Sequence, residues 1–400
     1  MAGVGAGRLR PMAAAPAVLP FIVVYKKNIK RTGFMEHQDG TFDSALTERE
    51  GVAQPGIINP AFAAGAAIRR PALPTADELV DGILSGNRTL LSRAITLVES
   101  SLPAHQKIAQ EVIERCLPHS GQSLRIGITG VPGAGKSTFI EALGSHLVRS
   151  GHKLAVLAID PSSERSKGSI LGDKTRMEEL SGMKDAFIRP SPSAGSLGGV
   201  ARKTRETIVL CEAAGFDYVF VETVGVGQSE TAAYGMVDYF LLLQLANTGD
   251  ELQGIKRGIM EMADGIAINK AEGEFLHKAQ VARVQFRNAL QLFPAPESGW
   301  TPTVETCSAY TKDGIDRVWQ HIVEYATFTK QNGYFERKRR KQAERILEET
   351  IEEQLLGHFY GAEGMEERME EARRRVSEKI GSPYNIAQQL IDQYFSNLRK

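Results

Sequence analysis

Short apolar runs alternate with amphipathic helical segments through the middle of the chain. The runs are rich in β-branched residues and end in polar or glycine-containing turns, as parallel strands joined by helices do. They lie at 125–129, 154–159, 218–221, 239–243, 265–268 and 303–307. This alternation predicts an α/β fold whose mostly parallel sheet is covered by helices on both faces.

Helical periodicity dominates on either side of this region. Thr75 and Glu78 form a T-x-x-E capping box, so a helix is expected to begin there. Near the other end, Gly361 and Gly364 mark a turn, and Ser382-Pro383 opens a last helix. Apolar residues at helical spacing form two stripes on either side of that turn: Ala343, Leu347, Ile351 and Leu355, then Met365, Met369, Ala372, Val376 and Ile380.

Four segments follow from these patterns. Residues 1–74 lack periodicity and are expected to be a disordered or non-structural arm. Residues 75–118 predict a small helical subdomain, and 119–328 predict the α/β domain. Residues 329–400 predict a charged helical extension. Its stripes suit either packing on the chain's own domain or a dimerisation arm.

Composition argues against several classes of protein. The 48 basic and 48 acidic side chains cancel, so no global field attracts nucleic acid or anionic lipid. No run of eighteen apolar residues occurs, so no membrane span is expected. The three cysteines, Cys116, Cys211 and Cys307, are far apart, which favours buried thiols in a reducing compartment. The eight histidines lack ligand spacing, so a transition metal held by the protein is not expected.

The first residues allow two interpretations. Arg8 and Arg10 precede an apolar run at 13–25, as in a signal or transit peptide. Two prolines interrupt that run, and no clear small-residue cleavage site follows it. A non-structural tail, with translation beginning at Met35, is the favoured interpretation.

The strongest chemical motif is a glycine-rich loop between the first predicted strand and an apolar helix. It reads Gly-Val-Pro-Gly-Ala-Gly-Lys-Ser and fits the phosphate-binding pattern GxxxxGK[ST]. The backbone N–H groups of such a loop surround a β-phosphate, the lysine reaches the β- and γ-phosphates, and the serine binds Mg²⁺. The expected contacts with nucleotide are Gly130, Val131, Pro132, Gly133, Ala134, Gly135, Lys136, Ser137 and Thr138.

Acidic residues follow two later strands. Asp160 ends one of them, and Glu222 ends another, three residues before Gly225. Carboxylates at the carboxyl edge of a parallel sheet can hold Mg²⁺, and a glycine N–H can contact the γ-phosphate. Between these strands, Asp173 is a candidate for the metal or the attacking water, and Arg176 for stabilising transition-state charge. The alternatives are solvated loop residues and, for Glu222, a structural carboxylate.

Two further strand ends predict the base site. Asn269 and Lys270 begin an N-K-x-E string, and Ser308 and Ala309 follow the last predicted strand. In GTPases the corresponding N-K-x-D string reads guanine, because its acid accepts hydrogen bonds from two neighbouring N–H groups of the base. Here the acid is Glu272, one methylene longer. GTP is therefore the favoured nucleotide, and ATP remains the alternative.

These motifs stand among longer strings that resemble a known family. The strings GVPGAGKST, AIDPSS, GSILGDKTRM, ETVGVGQSE, GDELQGIKRGIMEMAD and CSA are similar to those of the methylmalonyl-CoA mutase-associated GTPases, the MeaB/ArgK group. The resemblance covers about 75–400 and is dense across 120–270. It implies a P-loop fold of the signal-recognition-particle-like GTPase class, with helical extensions on both sides and a homodimer formed through the C-terminal one.

When the family's functional residues are carried onto this sequence, the lysine of the phosphate loop corresponds to Lys136 and the Mg²⁺ ligand to Ser137. The family's metal and switch acids correspond to Asp160, Asp173 and Glu222. The guanine reader falls on Asn269 and Lys270. The segment 249–257 resembles a further switch through which the family senses its client.

The resemblance implies a GTPase that uses GTP/GDP and Mg²⁺. Its expected role is to gate the loading of adenosylcobalamin onto methylmalonyl-CoA mutase and to protect or reactivate that enzyme. The expected location is cytoplasmic, or the mitochondrial matrix in a eukaryote. A P-loop ATPase or kinase associated with transport of lysine, arginine and ornithine is the alternative. Nickel insertion is less favoured, because no His-rich tract or Cys/His cluster is present.

Overall fold

The computed structural model describes residues 73–159, 177–190, 197–223, 228–246 and 257–398. Seven parallel strands in this part of the chain form one sheet, in the order β3-β2-β4-β1-β5-β6-β7. The strands are β1 Leu124–Gly130, β2 Leu154–Ile159, β3 Ala186–Arg189, β4 Tyr218–Thr223, β5 Tyr239–Leu245, β6 Gly265–Asn269 and β7 Thr303–Thr306. The α/β fold class predicted from the alternating pattern is confirmed.

Helices precede, separate and follow these strands. Before β1 lie α1 Ala76–Leu84, α2 Arg88–Glu99 and α3 Pro103–Cys116. Between strands lie α4 Lys136–Arg149, α5 Glu178–Gly182, α6 Leu197–Ala213, α7 Gln228–Tyr234, α8 Arg257–Met262 and α9 Leu276–Leu290. After β7 come α10 Ile315–Gln331, α11 Tyr334–Tyr360, α12 Met365–Ser377 and α13 Pro383–Leu398. In the described part of the chain, no helix combines the length and hydropathy needed to cross a membrane.

The central strands are apolar along their whole length because helices cover both faces of the sheet. All of β5 from Tyr239 to Gln244 is buried, so no alternation of apolar and polar residues is visible in its sequence. One core cluster packs α1, α2, α3 and α6 against the sheet, and another packs α4 and α10 against it. Gly127 allows β1 to lie close to Phe240 of β5, since a Cβ at Gly127 would be 2.7 Å from the Phe240 ring.

The sequence predicted most element positions but missed one strand. The four-residue β3 is followed at once by Pro190, and a run this short carries little periodic signal. The strands β1, β4, β5 and β6 extend beyond their predicted ends, and β7 ends one residue before its predicted end. The capping box is confirmed: Thr75 Oγ1 accepts from Glu78 N at 3.2 Å, and Glu78 Oε2 accepts from Thr75 N at 2.9 Å.

The start of α11 is fixed to the sheet near the beginning of β5. Arg339 makes a two-pronged ion pair with the buried Asp238, at 2.8 and 2.7 Å. Lys338 Nζ donates to the Asp238 carbonyl at 2.7 Å, and Gln342 Nε2 donates to the Val237 carbonyl at 2.9 Å. The predicted turn and last helix are confirmed, with Gly364 in the left-handed region preceding α12 and with α13 starting at Pro383. The limits of the four predicted segments stay a prediction.

Candidate nucleotide site

The carboxyl ends of the strands meet at one edge of the sheet, where α/β proteins bind ligands. Gly130 at the end of β1 pairs in register with Leu243 of β5. Ile159 at the end of β2 pairs with Thr223 at the end of β4. Asn269 ends β6, one strand further along. Strand order therefore brings the predicted phosphate loop, Glu222 and the base reader to the same edge.

The loop between β1 and α4 requires glycine at two positions. A Cβ on Gly130 would lie 2.3 Å from the Leu243 carbonyl oxygen, closer than any real contact. Gly135 has a φ of 85°, and a Cβ there would lie 2.7 Å from Asn269 Nδ2. The loop closes with a hydrogen bond of 3.1 Å from Ala134 N to Val131 O, and α4 begins directly afterwards at Lys136. The N-terminus of α4 thus points at the space that a phosphate group would fill.

The Lys136 ammonium lies over its own loop. It donates to Gly130 O at 2.9 Å and to Val131 O at 3.4 Å. Burial lowers the pKa of Lys136, and the carboxylates of Glu222 and Glu230 act in the opposite direction. The lysine is thus held against its own loop by these two carbonyl groups.

The Ser137 hydroxyl and the Glu222 carboxylate are in contact. Ser137 Oγ donates to Glu222 Oε1 at 3.1 Å, and Glu222 is only 9% exposed. Glu222 lies within β4 rather than after it, because the strand continues to Thr223. Thr223 Oγ1 donates to Thr129 Oγ1 at 2.8 Å, which joins the ends of β4 and β1. A hydroxyl and a carboxylate are hard oxygen donors of the kind that Mg²⁺ prefers.

Asn269 connects three segments of the site. The residue is 1% exposed, and its Nδ2 donates to Ala134 O at 2.8 Å. Its Oδ1 accepts from Ala309 N at 2.9 Å and from Cys307 Sγ at 3.8 Å. The N–H group of Ala309, a residue that the sequence predicts at the base site, thus donates to Asn269.

The residues after Asn269 form a tight turn. Lys270 adopts a left-handed conformation with a φ of 60°, and its side chain is exposed. Ala271 N donates to Cys307 O at 3.0 Å, which fixes this turn to the end of β7. Glu272 Oε2 is buried and has no hydrogen-bond partner among the described residues. Ser308 is fully buried, with its hydroxyl accepting from Thr311 N at 3.0 Å.

Similarity to known proteins shows the family to which this chain belongs. The family model described as methylmalonyl Co-A mutase-associated GTPase MeaB matches residues 91–364. The chain belongs to the methylmalonyl-CoA mutase-associated GTPase family. Its members are named as GTPases, and the protein is accordingly a nucleotide-binding GTPase of this family.

Several relatives of this GTPase family match over most of their length. The GTPase ArgK of Escherichia coli is 45% identical over 325 residues, which cover 80% of this chain and 98% of the relative. The methylmalonic aciduria type A homolog, mitochondrial, of Mus musculus is 43% identical over 330 residues, covering 80% of each chain. The crystal structure of an LAO/AO transport system kinase is 39% identical with a TM-score of 0.65, covering 80% of this chain and 97% of that one.

Some of the predicted residues of this GTPase site lie outside the described ranges. They are Asp160, Asp173, Arg176, Gly225 and most of the segment 249–257. Their assignments stay predictions. The described part of the site brings together the phosphate loop, Glu222, Asn269 and Glu272.

One buried acid, on the helix α7 that packs against β1 and β4, was not predicted from the sequence. Glu230, in the first turn of α7, is 3% exposed and accepts a hydrogen bond of 3.3 Å from Ser229 Oγ. It also acts electrostatically on Lys136. The string ETVGVGQSE contains this acid, but a charged residue at a helix start is normally solvated. Its burial depends on tertiary packing.

A cavity of about 890 Å³ lies at the opposite edge of the sheet. Its lining includes Tyr234, Asp264 and Trp300, near the amino ends of β6 and β7. By volume it is suited to a small molecule. Its lining contains no residue of the glycine loop at 130–135 or of the start of α4, so the family's phosphate chemistry belongs to the other edge.

Proposed function

We propose that this GTPase is a chaperone of methylmalonyl-CoA mutase that gates the loading of adenosylcobalamin and protects or reactivates the enzyme. The matched family is described by its association with that mutase, and a relative that covers 80% of this chain is named for methylmalonic aciduria. The proposal places the protein with its client, in the cytoplasm of a bacterium or the mitochondrial matrix of a eukaryote.

The buried oxygen of Glu272, which has no donor in the described part of the chain, supports GTP as the nucleotide. A buried acceptor without a donor is costly, so a ligand that supplies N–H groups is favoured at this point. Guanine offers adjacent N1–H and N2–H donors to a carboxylate. Adenine offers an acceptor at N1, which a carboxylate repels. Lys270 is proposed to cover the ring with its stem, and Ser308 and Ala309 to line the site near guanine O6.

The phosphate end of the site supports hydrolysis assisted by Mg²⁺. Bound Mg²⁺ neutralises charge on the phosphate oxygens. Ser137 and Glu222 fit as oxygen donors near it, since their side chains already meet at 3.1 Å. Lys136 would leave the carbonyls of Gly130 and Val131 for the β- and γ-phosphates. We further propose Asp160 and Asp173 as metal or water ligands, Gly225 as a γ-phosphate contact and Arg176 as the stabiliser of transition-state charge.

The exposed stripe of α11 supports the proposed homodimer. Leu347 is 62% exposed and Leu355 is 63% exposed, on a helix whose first turns are fixed to the sheet. Apolar side chains repeated at helical spacing on one face are stabilised when a second helix covers them. The proposed occupant is the same stripe of a second copy. The double variant L347E/L355E should therefore shift the mass measured by light scattering to that of a monomer.

The coupling to a client is tested by measuring GTP hydrolysis with and without purified methylmalonyl-CoA mutase. We expect slow hydrolysis alone and an increase of about tenfold or more with the mutase, because the catalytic groups need positioning by a partner. Serum albumin at the same concentration serves as the protein control, and Lys136→Ala as the inactive variant. Equal rates with and without the mutase would contradict the proposal.

A transport-associated kinase is the second candidate, because the solved structure that is 39% identical is named a transport system kinase. It predicts transfer of the γ-phosphate to an acceptor protein rather than to water. Incubation with γ-labelled GTP or ATP and extracts of the native host, followed by electrophoresis, separates the two. A labelled acceptor band that Lys136→Ala does not produce would favour the kinase.

A further inference from the structure

The short helix α7 connects the phosphate site to the C-terminal helix α11. Its seven residues span about 10 Å. The helix packs against β1 and β4, which carry the start of the phosphate loop and Glu222, and Ser229 and Glu230 in its first turn are buried. Because both residues are packed, this end of α7 is placed to respond to a change at the phosphate site.

The last residue of α7 contacts the beginning of α11. Lys338 Nζ lies 4.7 Å from the centre of the Tyr234 ring, a cation–π contact. Lys338 is 7% exposed and donates to the Asp238 carbonyl at 2.7 Å, with the Asp264 carboxylate 3.6 Å away. The far end of α7 is thus held by a buried ammonium group of α11.

A second contact joins α11 to helix α6, which packs against α7. Arg205 of α6 forms an ion pair of 2.6 Å with Glu349 of α11, and the Arg205 side chain is only 12% exposed. Gly235, directly after α7, lies against the same guanidinium group: a Cβ there would be 3.8 Å from Arg205 Nη2. Arg205 therefore lies beside the residue that follows α7 and pairs with the middle of α11.

Glu349 lies between the first turns of α11, which are fixed to the sheet, and its last turns, which are mostly exposed. Burial opposes its ionisation, but the guanidinium groups of Arg205 and Arg345 prevail and lower the pKa of Glu349. Further along, Arg202 and Glu353 are 3.9 Å apart, and Leu355, Leu356 and Tyr360 are all more than half exposed. A displacement at Glu349 would therefore be carried into the exposed remainder of the helix.

We propose that Tyr234, Lys338, Arg205 and Glu349 form a joint through which the nucleotide state sets the position of α11. When the γ-phosphate is present, the first turn of α7 shifts, Tyr234 moves against Lys338, and the Arg205–Glu349 pair carries the movement into the helix. Interfaces of this kind respond in discrete steps because packed side chains resist continuous deformation. The proposal uses the GTPase activity of the family and is independent of which client the protein serves.

Hydrogen exchange of the full-length protein tests the joint, with GDP compared with a non-hydrolysable GTP analogue. We expect the exchange rates of amides in 334–349 to differ about fivefold or more between the two nucleotides. Arg205→Gln should remove that difference. Arg345→Gln is the matched control, because Arg345 pairs with the same Glu349 carboxylate at 2.7 Å from within α11. This control should keep the difference.

A purely structural role for Arg205 would change melting temperature or overall exchange but leave the dependence on nucleotide intact. Each variant should bind GDP within about twofold of the parent, since none of these residues lines the phosphate loop. If Arg205→Gln does not fold, Glu349→Gln breaks the same pair from the more exposed side and carries the test. The proposal would be overturned if the amides of 334–349 exchanged at the same rates with GDP and with the GTP analogue. It would also be overturned if the folded Arg205→Gln or Glu349→Gln variant kept the parent's difference between the two nucleotides.

Discussion

The side-chain amide of Asn269 donates a hydrogen bond of 2.8 Å to the main-chain carbonyl of Ala134. This bond joins the strand end that precedes the base site to the centre of the phosphate loop. Gly135 permits the approach, since any Cβ there would meet the Asn269 amide. The two halves of the candidate nucleotide site are therefore one hydrogen-bonded unit, completed by the bond from Ala309 N to Asn269 Oδ1.

Asn269→Ala should weaken GDP binding by about 10- to 100-fold, because buried partners on Ala134 and Ala309 lose their hydrogen bonds. Titration calorimetry with GDP measures the change. Asn288→Ala, on the exposed face of α9, is the control and should bind like the parent. An affinity within twofold for Asn269→Ala would show that the base and phosphate subsites are independent.

Glu272→Asn should exchange the base preference from guanine to xanthine. A carboxylate accepts from guanine N1–H and N2–H, whereas a carboxamide can donate to the O2 of xanthine. Loss of two hydrogen bonds to a charged acceptor lowers GTP affinity by about 100-fold. Competition among GTP, XTP and ATP measures the preference.

The exposed Glu274 supplies the matched control for this change, as Glu274→Asn alters the same charge two residues away. Its preference for GTP should persist. Retention of GTP preference in Glu272→Asn would remove Glu272 from the base site.

Arg339→Met should destabilise the protein by about 3–5 kcal/mol, because it leaves the buried Asp238 carboxylate without its cation. Arg339 also donates to the carbonyls of Gly121 at 2.5 Å and Ser123 at 2.6 Å. Burial opposes the charge on Arg339, but its hydrogen bonds to Asp238 raise the pKa of the guanidinium above its ordinary value, so the guanidinium stays charged. Urea unfolding followed by circular dichroism measures the loss.

The neighbouring Arg340 is less tightly held and provides the comparison, since the structure gives it no ion pair within the described residues. Arg340→Met should change the free energy of unfolding by less than about 0.5 kcal/mol. Equal stability of the two variants would mean that the α11 anchor contributes little.

The three thiols should be inert towards a disulfide reagent at pH 8 in the native protein. Cys116, Cys211 and Cys307 are all buried, which confirms the prediction from the sequence. Burial raises the pKa of Cys307 to about 12, and the pKa values of the other two thiols are raised as well. Thiolate is the reactive form, so little is present at pH 8. The absorbance of the released reagent should show no reacted thiol over an hour in the native protein. After addition of guanidinium chloride it should show three reacted thiols. Rapid reaction of one native thiol would contradict the burial.

The sequence by itself determined the α/β class, the phosphate loop and the order of the motifs. Those features depend on local signals: the period of apolar residues, glycine spacing, and the position of polar residues at strand ends. The capping box at Thr75 and Glu78 is of the same kind, since its two partners are three residues apart.

Tertiary structure alone decided the contacts between distant segments. Asn269 and Ala134 are 135 residues apart, and Arg339 and Asp238 are 101 apart. The burial of Glu230, the open acceptor on Glu272 and the pairing of Arg205 with Glu349 are likewise products of packing. Charged side chains of these types are usually solvated, so their sequence positions carry no sign of burial. Only the folding of the sheet brings their partners within reach, which is why the sequence predicted the site and the structure showed how the described part of it is held together.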